Sequence, residues 1–273
     1  MGRGCQIGTR KNKIKGISFV MGDFSQNGII SNLHDFGTKT TADIEKELVK
    51  FSKERKMELI LPSLYSELKG DALPNIVKQI SETKYLNHII VGLDKASKAE
   101  AVKAWKFFKK LNTPFTILWN DGPRLKKLHE ELKEKDLAPS EMGKGRNVWY
   151  CLGMCIARDE ARSVALHDCD IKTYDRRMLA KLFYPVVNPF FNFEFCKGYY
   201  PRISNGKMNG RVARLLVSPL LNALEKTIGR SDYLDFMKSF KYPLAGEFSF
   251  RRNVLPELRI SSDWGIEVGI LSE

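Results

Sequence analysis

The chain lacks any apolar run of about 18 residues, the length that a membrane-spanning helix requires. Its first residues, MGRGCQIGTRKNKIKG, are basic but precede no apolar segment, so they do not fit a secretory signal. The five cysteines are odd in number and widely scattered, which argues against a disulfide framework. These absences predict a globular protein with reduced thiols, located in the cytoplasm and without a membrane partner.

Acidic residues are outnumbered by basic ones, 32 against 45, which gives a formal net charge of +13. A basic surface indicates an anionic partner: nucleic acid, an acidic membrane or phosphorylated small molecules. The charge alone does not choose among them. The hydrophobic fraction of 43% is ordinary for a globular protein, and 273 residues suit one large or two small domains.

Four short apolar segments are separated by stretches with helical periodicity, and a further helix is predicted within residues 41–56. The predicted strands are 57–62, 88–93, 115–119 and 163–167. Strands that alternate with helices predict an α/β fold, with a mostly parallel sheet covered by helices on both faces. In such sheets, ligands bind beyond the carboxyl ends of the strands.

The last third of the chain has a different pattern. Residues 191–202 predict a strand, and Met208 to Ile228 predict a long helix with Pro219 as a kink. Residues 242–252 predict a second strand or a loop, and an amphipathic helix is predicted to start near Ile266.

Two carboxylates, Asp168 and Asp170, follow the predicted strand 163–167. Carboxylate oxygens at a strand end suit Mg²⁺ or Mn²⁺, which also bind substrate phosphates. One carboxylate could hold the metal while the other meets a sugar hydroxyl. The alternative is an ordinary acidic turn after a strand. His167 adjoins the pair, but alternation along the strand predicts that it faces the other way.

A second motif, GKG, precedes the next predicted helix with Lys144 between Gly143 and Gly145. Glycines permit a close backbone approach, and a helix N-terminus attracts phosphate. Lys144 would add a mobile positive charge. The motif lacks the spacer and the hydroxyl residue of a P-loop, and a plain turn is the alternative.

Basic residues surround the predicted start of the long helix, at Arg202, Lys207, Arg211 and Arg214. Arginine suits bidentate contacts to phosphate or carboxylate, so this segment predicts an anion site, with a solvated basic helix face as the alternative. Glu247 lies among apolar residues, where a carboxylate is either paired or functional. Cys151 and Cys155 are one helical turn apart on an apolar face, which favours a structural role over metal binding.

The order of these motifs resembles the family of retaining glucosyl-3-phosphoglycerate synthases, whose close relatives are mannosyl-3-phosphoglycerate synthase and glucosylglycerate synthase. The resemblance extends over about residues 57–273 and is carried by LPSL, GKG, HDCDI, NGRVARLLVSPLL, PLAGEFS and DWGIEVGIL. It implies the Rossmann-like nucleotide-sugar glycosyltransferase fold of the A type. It also implies metal-dependent transfer of a hexose from a nucleotide diphosphate sugar to 3-phosphoglycerate, with retention and without a protein nucleophile.

By the same resemblance, residues 1–56 form an N-terminal extension, 57–190 a nucleotide-sugar-binding half and 191–273 an acceptor-binding half. Asp170 would bind the metal, Asp168 the donor ribose or sugar, and Lys144 the donor phosphates. The remaining assignments are Pro62, Ser63, Leu64, Glu67 and Asp94 for the donor nucleoside; Leu244, Gly246 and Glu247 for the sugar, with Glu247 and Asp168 as catalytic residues; and Gly210, Arg211, Val212 and Ala213 for the acceptor. A homodimer is implied as well.

The sequence departs from the family pattern at two strand ends. Only Glu67 remains of the acidic residues expected after LP, and Asp94 in VGLDKAS is shifted from the expected position. UDP-glucose is the favoured donor, with GDP- and ADP-sugars as alternatives. Mannosyl transfer, and glycerate as acceptor, also stay open. None of the four histidines matches the family's metal-binding histidine, which lies beyond EVGIL. A basic nucleic-acid-binding protein is the alternative of another class, although no nucleic-acid partner is predicted.

Overall fold

The computed structural model describes residues 30–33, 39–200, 203–204, 207–208 and 211–272. The strands are β1 (Met57–Leu64), β2 (Leu86–Asp94), β3 (Phe115–Trp119), β4 (Ser163–Leu166), β5 (Phe195–Lys197), β6 (Ile203–Ser204), β7 (Lys207–Met208) and β8 (Phe248–Arg251). The α-helices are α1 (Thr41–Phe51), α2 (Ala72–Ser81), α3 (Lys98–Phe108), α4 (Pro123–Lys133), α5 (Lys144–Arg158), α6 (Arg176–Val187), α7 (Ser218–Ile228), α8 (Asp232–Ser239) and α9 (Ile266–Ser272). Within this described part of the chain, every helix is too short or too polar to cross a bilayer.

Six strands form one sheet in the order β3-β2-β1-β4-β8-β5. The pairs from β3 to β4 are parallel, whereas β8 is antiparallel to both β4 and β5. Strands β6 and β7 form a separate antiparallel pair. The predicted α/β class with a mostly parallel sheet is therefore confirmed.

Alternate side chains of each strand point to opposite sides of the sheet, and helices bury both sides. On one face, Leu59 and Leu61 of β1 pack into a core that α1, α2 and α6 complete. On the other face, Ile60 packs with Val148 of α5 and Ile266 of α9. Two helical layers thus enclose the strands and leave their carboxyl ends free for a site.

Helix α5 lies unusually close to the sheet. Asn147 donates from Nδ2 to the carbonyl of Gly92 at 2.9 Å, and a β-carbon at Gly92 would lie only 1.8 Å from Asn147 Oδ1. Cys151 and Cys155 are buried on the same face of α5, and burial raises the pKa of both thiols. They are protonated packing residues, in agreement with the structural role predicted for them.

The last third of the chain departs from the prediction in two places. Within the described residues 191–200, the predicted strand 191–202 is limited to β5, because Phe191 N–H bonds to the carbonyl of Asn188 and three residues pair with β8. In the predicted helix 208–228, Met208 belongs to β7 instead, and the described residues are helical from Arg211 onward. Residues 242–252 contain a loop followed by β8.

The predicted kink at Pro219 takes the form of a wide turn. Residues Ala213–Val217 are π-helical, and the N–H of Ser218 bonds to the carbonyl of Ala213, five residues earlier. This π-turn changes the hydrogen-bond spacing from four residues to five just before the proline, which has no N–H to donate.

The division into an extension and two halves stays a prediction. Ile44 and Leu48 of α1 are fully buried in the main core, although they precede residue 57. Strands β5 and β8, from beyond residue 190, complete the same sheet as β1 to β4.

Candidate active site at the carboxyl edge of the sheet

Several of the predicted site residues meet at the edge of the sheet where β1, β2 and β4 end. Leu64, the last residue of β1, pairs with Asp94, the last residue of β2. Ile60 pairs with Leu166 at the end of β4, so Asp168 follows two residues beyond that point on the same edge. The parallel register therefore brings together residues that are about 100 positions apart in the sequence.

The carboxylate of Asp168 is fixed from two sides. Its Oδ1 lies 2.5 Å from Lys144 Nζ, and its side chain is 24% exposed. On the other side is Gly246, where a β-carbon would stand 2.2 Å from Asp168 Oδ2. Because glycine has no side chain, position 246 leaves room for the Asp168 carboxylate.

Lys144 bridges two acids, since its Nζ also lies 2.7 Å from Glu267 Oε1. Burial alone lowers the pKa of Lys144, but the charges and hydrogen bonds of Asp168 and Glu267 outweigh it and raise the pKa well above its usual value. Lys144 is thus permanently charged and held in place. The expectation of a mobile lysine is wrong for this arrangement, because two carboxylates already order it.

The start of α5 is closed by the chain itself. Gly145 N–H donates to the carbonyl of Asp263 at 3.1 Å, and Arg146 N–H donates to that of Ser262 at 2.6 Å. A β-carbon at Gly145 would stand 1.7 Å from the carbonyl oxygen of Ser261. The glycines of GKG permit a close approach, as predicted, but the approaching group is the backbone of residues 261–263. Any donor-phosphate contact there relies on the ammonium of Lys144, not on the helix N–H groups.

Glu67 and Asp170 add carboxylates near Asp168. Glu67 Oε2 accepts from the N–H of Leu64 at 2.9 Å. Burial raises the pKa of Glu67, and the charges of Asp170 and Asp168 raise it further against the hydrogen bonds from Leu64 and Ser63. Asp170 is exposed and forms no hydrogen bond or ion pair with another described residue. Among the described residues, no group of three Asp, Glu, His or Cys side chains is arranged to hold a metal.

The β1 residues predicted to line the nucleobase end the strand beside β2. Pro62 and Ser63 are buried and Leu64 is half-buried. Ser63 donates from Oγ to the carbonyl of Leu64 at 3.1 Å. Of these three positions, Leu64 is the one that pairs with Asp94.

Asp94 is paired with a residue that the sequence had not singled out. Arg146 NH2 lies 3.2 Å from Asp94 Oδ1, and both side chains are almost fully buried. Burial raises the pKa of Asp94, and the Arg146 charge acts in the opposite direction. The Asn120 N–H donates to the carbonyl of Leu93 at 2.9 Å, which brings its amide to the same strand end. The carboxyl end of β2 is thus a buried cluster of polar residues and not an open turn.

Lys197 of β5 ties down the loop that carries Gly246 and Glu247. Its Nζ donates to the carbonyl of Ala245 at 2.6 Å and to that of Glu267 at 3.4 Å. Burial lowers the pKa of Lys197 to about 8, although Glu267 and Glu247 act to raise it. Glu247 is fully buried at the start of this loop-to-strand junction, as its apolar sequence surroundings indicated.

His167 does not join the site. It is fully buried, its ring stands edge-on to Tyr174 with 5.3 Å between centroids, and burial lowers its pKa to about 3. Neither ring nitrogen has a hydrogen-bond partner among the described residues. The predicted alternation therefore holds, with His167 facing the core and Asp168 facing the site.

The described acceptor residues, Arg211, Val212 and Ala213, make no hydrogen bond or ion pair with this group. Gly210 lies outside the described residues. Arg211 and Val212 are exposed, and Ala213 is buried. Leu244, which was assigned to the sugar, is half-buried. Arg211 makes no hydrogen bond or ion pair with another described residue, so its guanidinium is available to an anion.

Sequence reasoning missed Glu267, Arg146 and Lys197. Glu267 lies in the recognised DWGIEVGIL segment, but its partner Lys144 is 123 residues away. Arg146 had a local signal, because it is a charged residue at a position that α5 buries. Lys197 offered none beyond its position in a short strand.

No protein-family model matches the chain. The chain is similar to two curated proteins named glucosyl-3-phosphoglycerate synthase. It is 44% identical over 93% of its length to the protein from Persephonella marina. It is 38% identical over 92% of its length to the protein from Methanococcoides burtonii. The chain spans 62% of the length of each of these relatives. The predicted resemblance is confirmed.

Among solved structures, the fold is similar to glucosyl-3-phosphoglycerate synthase from Mycobacterium tuberculosis in complex with Mn²⁺, UDP and glucosyl-3-phosphoglycerate. The TM-score is 0.59 at 20% identity, over 88% of this chain and 70% of that chain. A complex of the same enzyme with Mn²⁺ and UDP-glucose gives a TM-score of 0.57 at 21% identity, over 83% of this chain and 67% of that chain. The predicted nucleotide-sugar glycosyltransferase fold is confirmed.

Proposed function

We propose that the chain carries the donor site of a retaining hexosyltransferase, and that it moves glucose from a nucleotide diphosphate sugar to 3-phosphoglycerate. The observation that carries the proposal is the 44% identity, over 93% of the chain, to a protein named glucosyl-3-phosphoglycerate synthase. The cluster of Asp168, Lys144 and Glu267 at the carboxyl edge of the sheet supports it, since ligands of α/β sheets bind at that edge.

The residues fit a divalent metal that is shared with a substrate. Asp170 offers an exposed carboxylate, and the charges of Asp170 and Asp168 lie near enough to Glu67 to raise its pKa. Mg²⁺ and Mn²⁺ are commonly held by one or two carboxylates, with substrate phosphates and water as the other ligands. When bound here, such an ion would neutralise charge on the departing diphosphate.

Within the site, Lys144 provides a fixed positive charge that the donor phosphates can approach. Asp168 is locked by Lys144 and Gly246, so its free oxygen surface can accept a hydrogen bond from a ribose or sugar hydroxyl. Lys197 holds the backbone of Ala245 against this edge, and we assign the next two residues, Gly246 and Glu247, to the sugar. The chain supplies charge and orientation, and no nucleophile of the protein is required if the acceptor attacks from the leaving-group side.

Arg211 is the residue that we assign to the acceptor. It is exposed at the first turn of the helix that leads into α7, and its guanidinium suits a phosphate or carboxylate. 3-Phosphoglycerate carries both groups, which fits an anion site here. Val212 and Ala213 would shape the same turn. The basic surface then serves two phosphorylated substrates instead of a nucleic acid.

Incubation with UDP-glucose, 3-phosphoglycerate and Mn²⁺ tests the proposal, with product identified by mass and its anomeric configuration by NMR. A retained α-glucosyl product supports it. Parallel reactions with GDP-mannose, ADP-glucose and glycerate decide the donor and acceptor. Because the chain spans 62% of its relatives, calorimetric donor binding with and without Mn²⁺ is measured beside turnover. No metal-dependent binding of any donor would overturn the assignment.

We include in the proposal a homodimer and a cytoplasmic location. Sedimentation at several concentrations tests the first, and fractionation of the source cells tests the second. A monomer at all concentrations would remove the dimer without affecting the donor site.

A further inference from the structure

A basic cavity lies at the opposite edge of the sheet from the candidate active site. It has a volume of about 440 Å³ and is lined by four arginines, Arg55, Arg162, Arg251 and Arg252. β4 begins at Ser163, which pairs with Arg251 at the end of β8. The cavity is therefore formed where β1 and β4 start and where β8 ends.

The separation from Asp168 follows from strand geometry. Ser163 and Asp168 are five residues apart along an extended segment, which corresponds to roughly 16 Å at the rise of a strand. The Arg-lined cavity is thus distinct from the donor site, because the length of β4 separates them.

Two of the arginines are oriented by neutral oxygens. Arg251 donates to the carbonyls of Val186 at 3.2 Å and Phe191 at 3.0 Å, and to the side-chain oxygen of Asn192 at 3.3 Å. Arg55 donates to the carbonyl of Val187 at 3.0 Å. These bonds fix the guanidinium groups without neutralising their charge.

The other two arginines leave donors unused. Arg252 NH1 lies 2.6 Å from Asp159 Oδ1, but its buried Nε has no hydrogen-bond partner among the described residues. Arg162 is exposed, and its side chain makes no hydrogen bond or ion pair with a described residue. Glu54 is the one acidic residue in the lining. The lining thus contains four arginines and one acid, and Asp159 outside it pairs with Arg252, so the cavity carries excess positive charge.

We propose that this cavity is a binding site for the phosphate groups of a phosphorylated small molecule. Guanidinium groups bind phosphate oxygens in bidentate pairs, and four arginines line this one concave space. Cavities that bind small molecules typically measure about 300–1,000 Å³, which admits a nucleotide or a sugar phosphate. A concave pocket favours a compact anion over the extended backbone of a nucleic acid. Binding would join the end of α1, the start of β4 and the end of β8, and so stabilise the folded state.

Calorimetric titration with inorganic tripolyphosphate tests the site, in EDTA and at physiological ionic strength so that the metal-dependent donor site is silent. We expect the wild-type chain to bind with a Kd below about 1 mM. Arg162→Gln should weaken binding about tenfold, the usual effect of losing one charge-assisted hydrogen bond. The fold should tolerate this change because Arg162 is exposed.

The matched control is Arg124→Gln, which removes the same charge from an exposed position on α4. It should leave the Kd unchanged, as should Lys144→Met at the donor site. Equal weakening by Arg162→Gln and Arg124→Gln would show a general charge effect and overturn the site. No binding by the wild-type chain, or loss of binding in Lys144→Met, would overturn it too.

A single-stranded oligonucleotide is titrated in parallel. Tighter binding of the oligonucleotide than of tripolyphosphate, with the same dependence on Arg162, would replace the small anion by a nucleic acid and refute the proposal. Because no sugar donor or metal is present, these results are independent of the transferase assay.

Discussion

Asp168 and Gly246 are packed so closely that the space of a β-carbon at position 246 is filled by the Asp168 carboxylate. The distance from such a β-carbon to Oδ2 would be 2.2 Å, well below any real contact. Lys144 holds the other oxygen of this carboxylate at 2.5 Å. The position of the acid is therefore set jointly by a glycine on the loop before β8 and a lysine at the start of α5.

Gly246→Ala should displace Asp168 and lower kcat/KM for the transfer reaction by about 100-fold, because a misplacement near 1 Å has effects of that order. Steady-state kinetics with UDP-glucose and 3-phosphoglycerate measures this. Gly153→Ala on α5 is the matched control, since a β-carbon there meets nothing within 4 Å. Similar kinetics for both variants would show that the Asp168 position is unimportant.

Asp170→Asn should abolish Mn²⁺-dependent donor binding while leaving the fold intact. The side chain is exposed and has no described partner, so its loss removes a metal ligand and little packing. Calorimetric titration of UDP-glucose with and without Mn²⁺ gives the result, and an unchanged thermal unfolding midpoint serves as control. Undiminished Mn²⁺-dependent binding in the variant would remove Asp170 from the metal site.

Lys144→Met should weaken donor binding by about 10- to 100-fold, the effect of losing a hydrogen bond to a charged group. It also leaves Asp168 and Glu267 without the cation between them. Lys127→Met is the control, because Lys127 forms only an exposed pair with Glu131 at 3.8 Å. A donor Kd that changes equally in the two variants would contradict a specific role for Lys144.

Arg211→Ala should raise the KM for 3-phosphoglycerate about tenfold or more and leave donor affinity unchanged, since a guanidinium bound to an anion is lost. Arg214→Ala provides the comparison, being an exposed arginine one turn further along the same helix. Initial rates at varied acceptor concentration distinguish the two. An unchanged acceptor KM in Arg211→Ala would move the acceptor elsewhere.

His167→Leu should make the fold less sensitive to acid. The unfolded chain protonates this ring near pH 6.5, whereas burial keeps it neutral in the fold down to about pH 3. The free energy of unfolding therefore falls as pH decreases through this window, by up to about 1.4 kcal/mol per pH unit. The urea midpoint, followed from pH 7 to about pH 4, should fall less in the variant than in wild type. The same gain from His129→Leu, at a half-buried histidine of α4, would refute the assignment.

The sequence predicted those features of the fold and the site that depend on neighbouring residues in the chain. The strands ending at Leu64 and Leu166 follow from short apolar runs, and the placement of Asp168 at a strand end follows from the run before it. Glu247 was found because a carboxylate among apolar residues is unusual. Gly143 and Gly145 were recognised as sites of close approach, although not what approaches them.

The remaining features depend on contacts between distant segments. Lys144 could not be matched with Glu267, because 123 residues separate them and either could have faced solvent. The three-residue length of β5 depends on how far β8 runs beside it. Met208 lies in a short strand because it pairs with Ile203, a choice that its helix-forming neighbours do not reveal.

Strand β8 comes last in sequence among the described strands, yet it lies between β4 and β5 in the sheet. During synthesis, the parallel strands through β4 emerge first, and β4 keeps an unpaired edge until Arg251 has left the ribosome. An unpaired edge is a template for association with other chains, so this interval is when the nascent protein most needs a chaperone. The loop that carries Gly246 arrives with the same strand. Pairing of β8 with this edge therefore also brings Gly246 to Asp168, whereas Glu267, the second partner of Lys144, follows later in the chain.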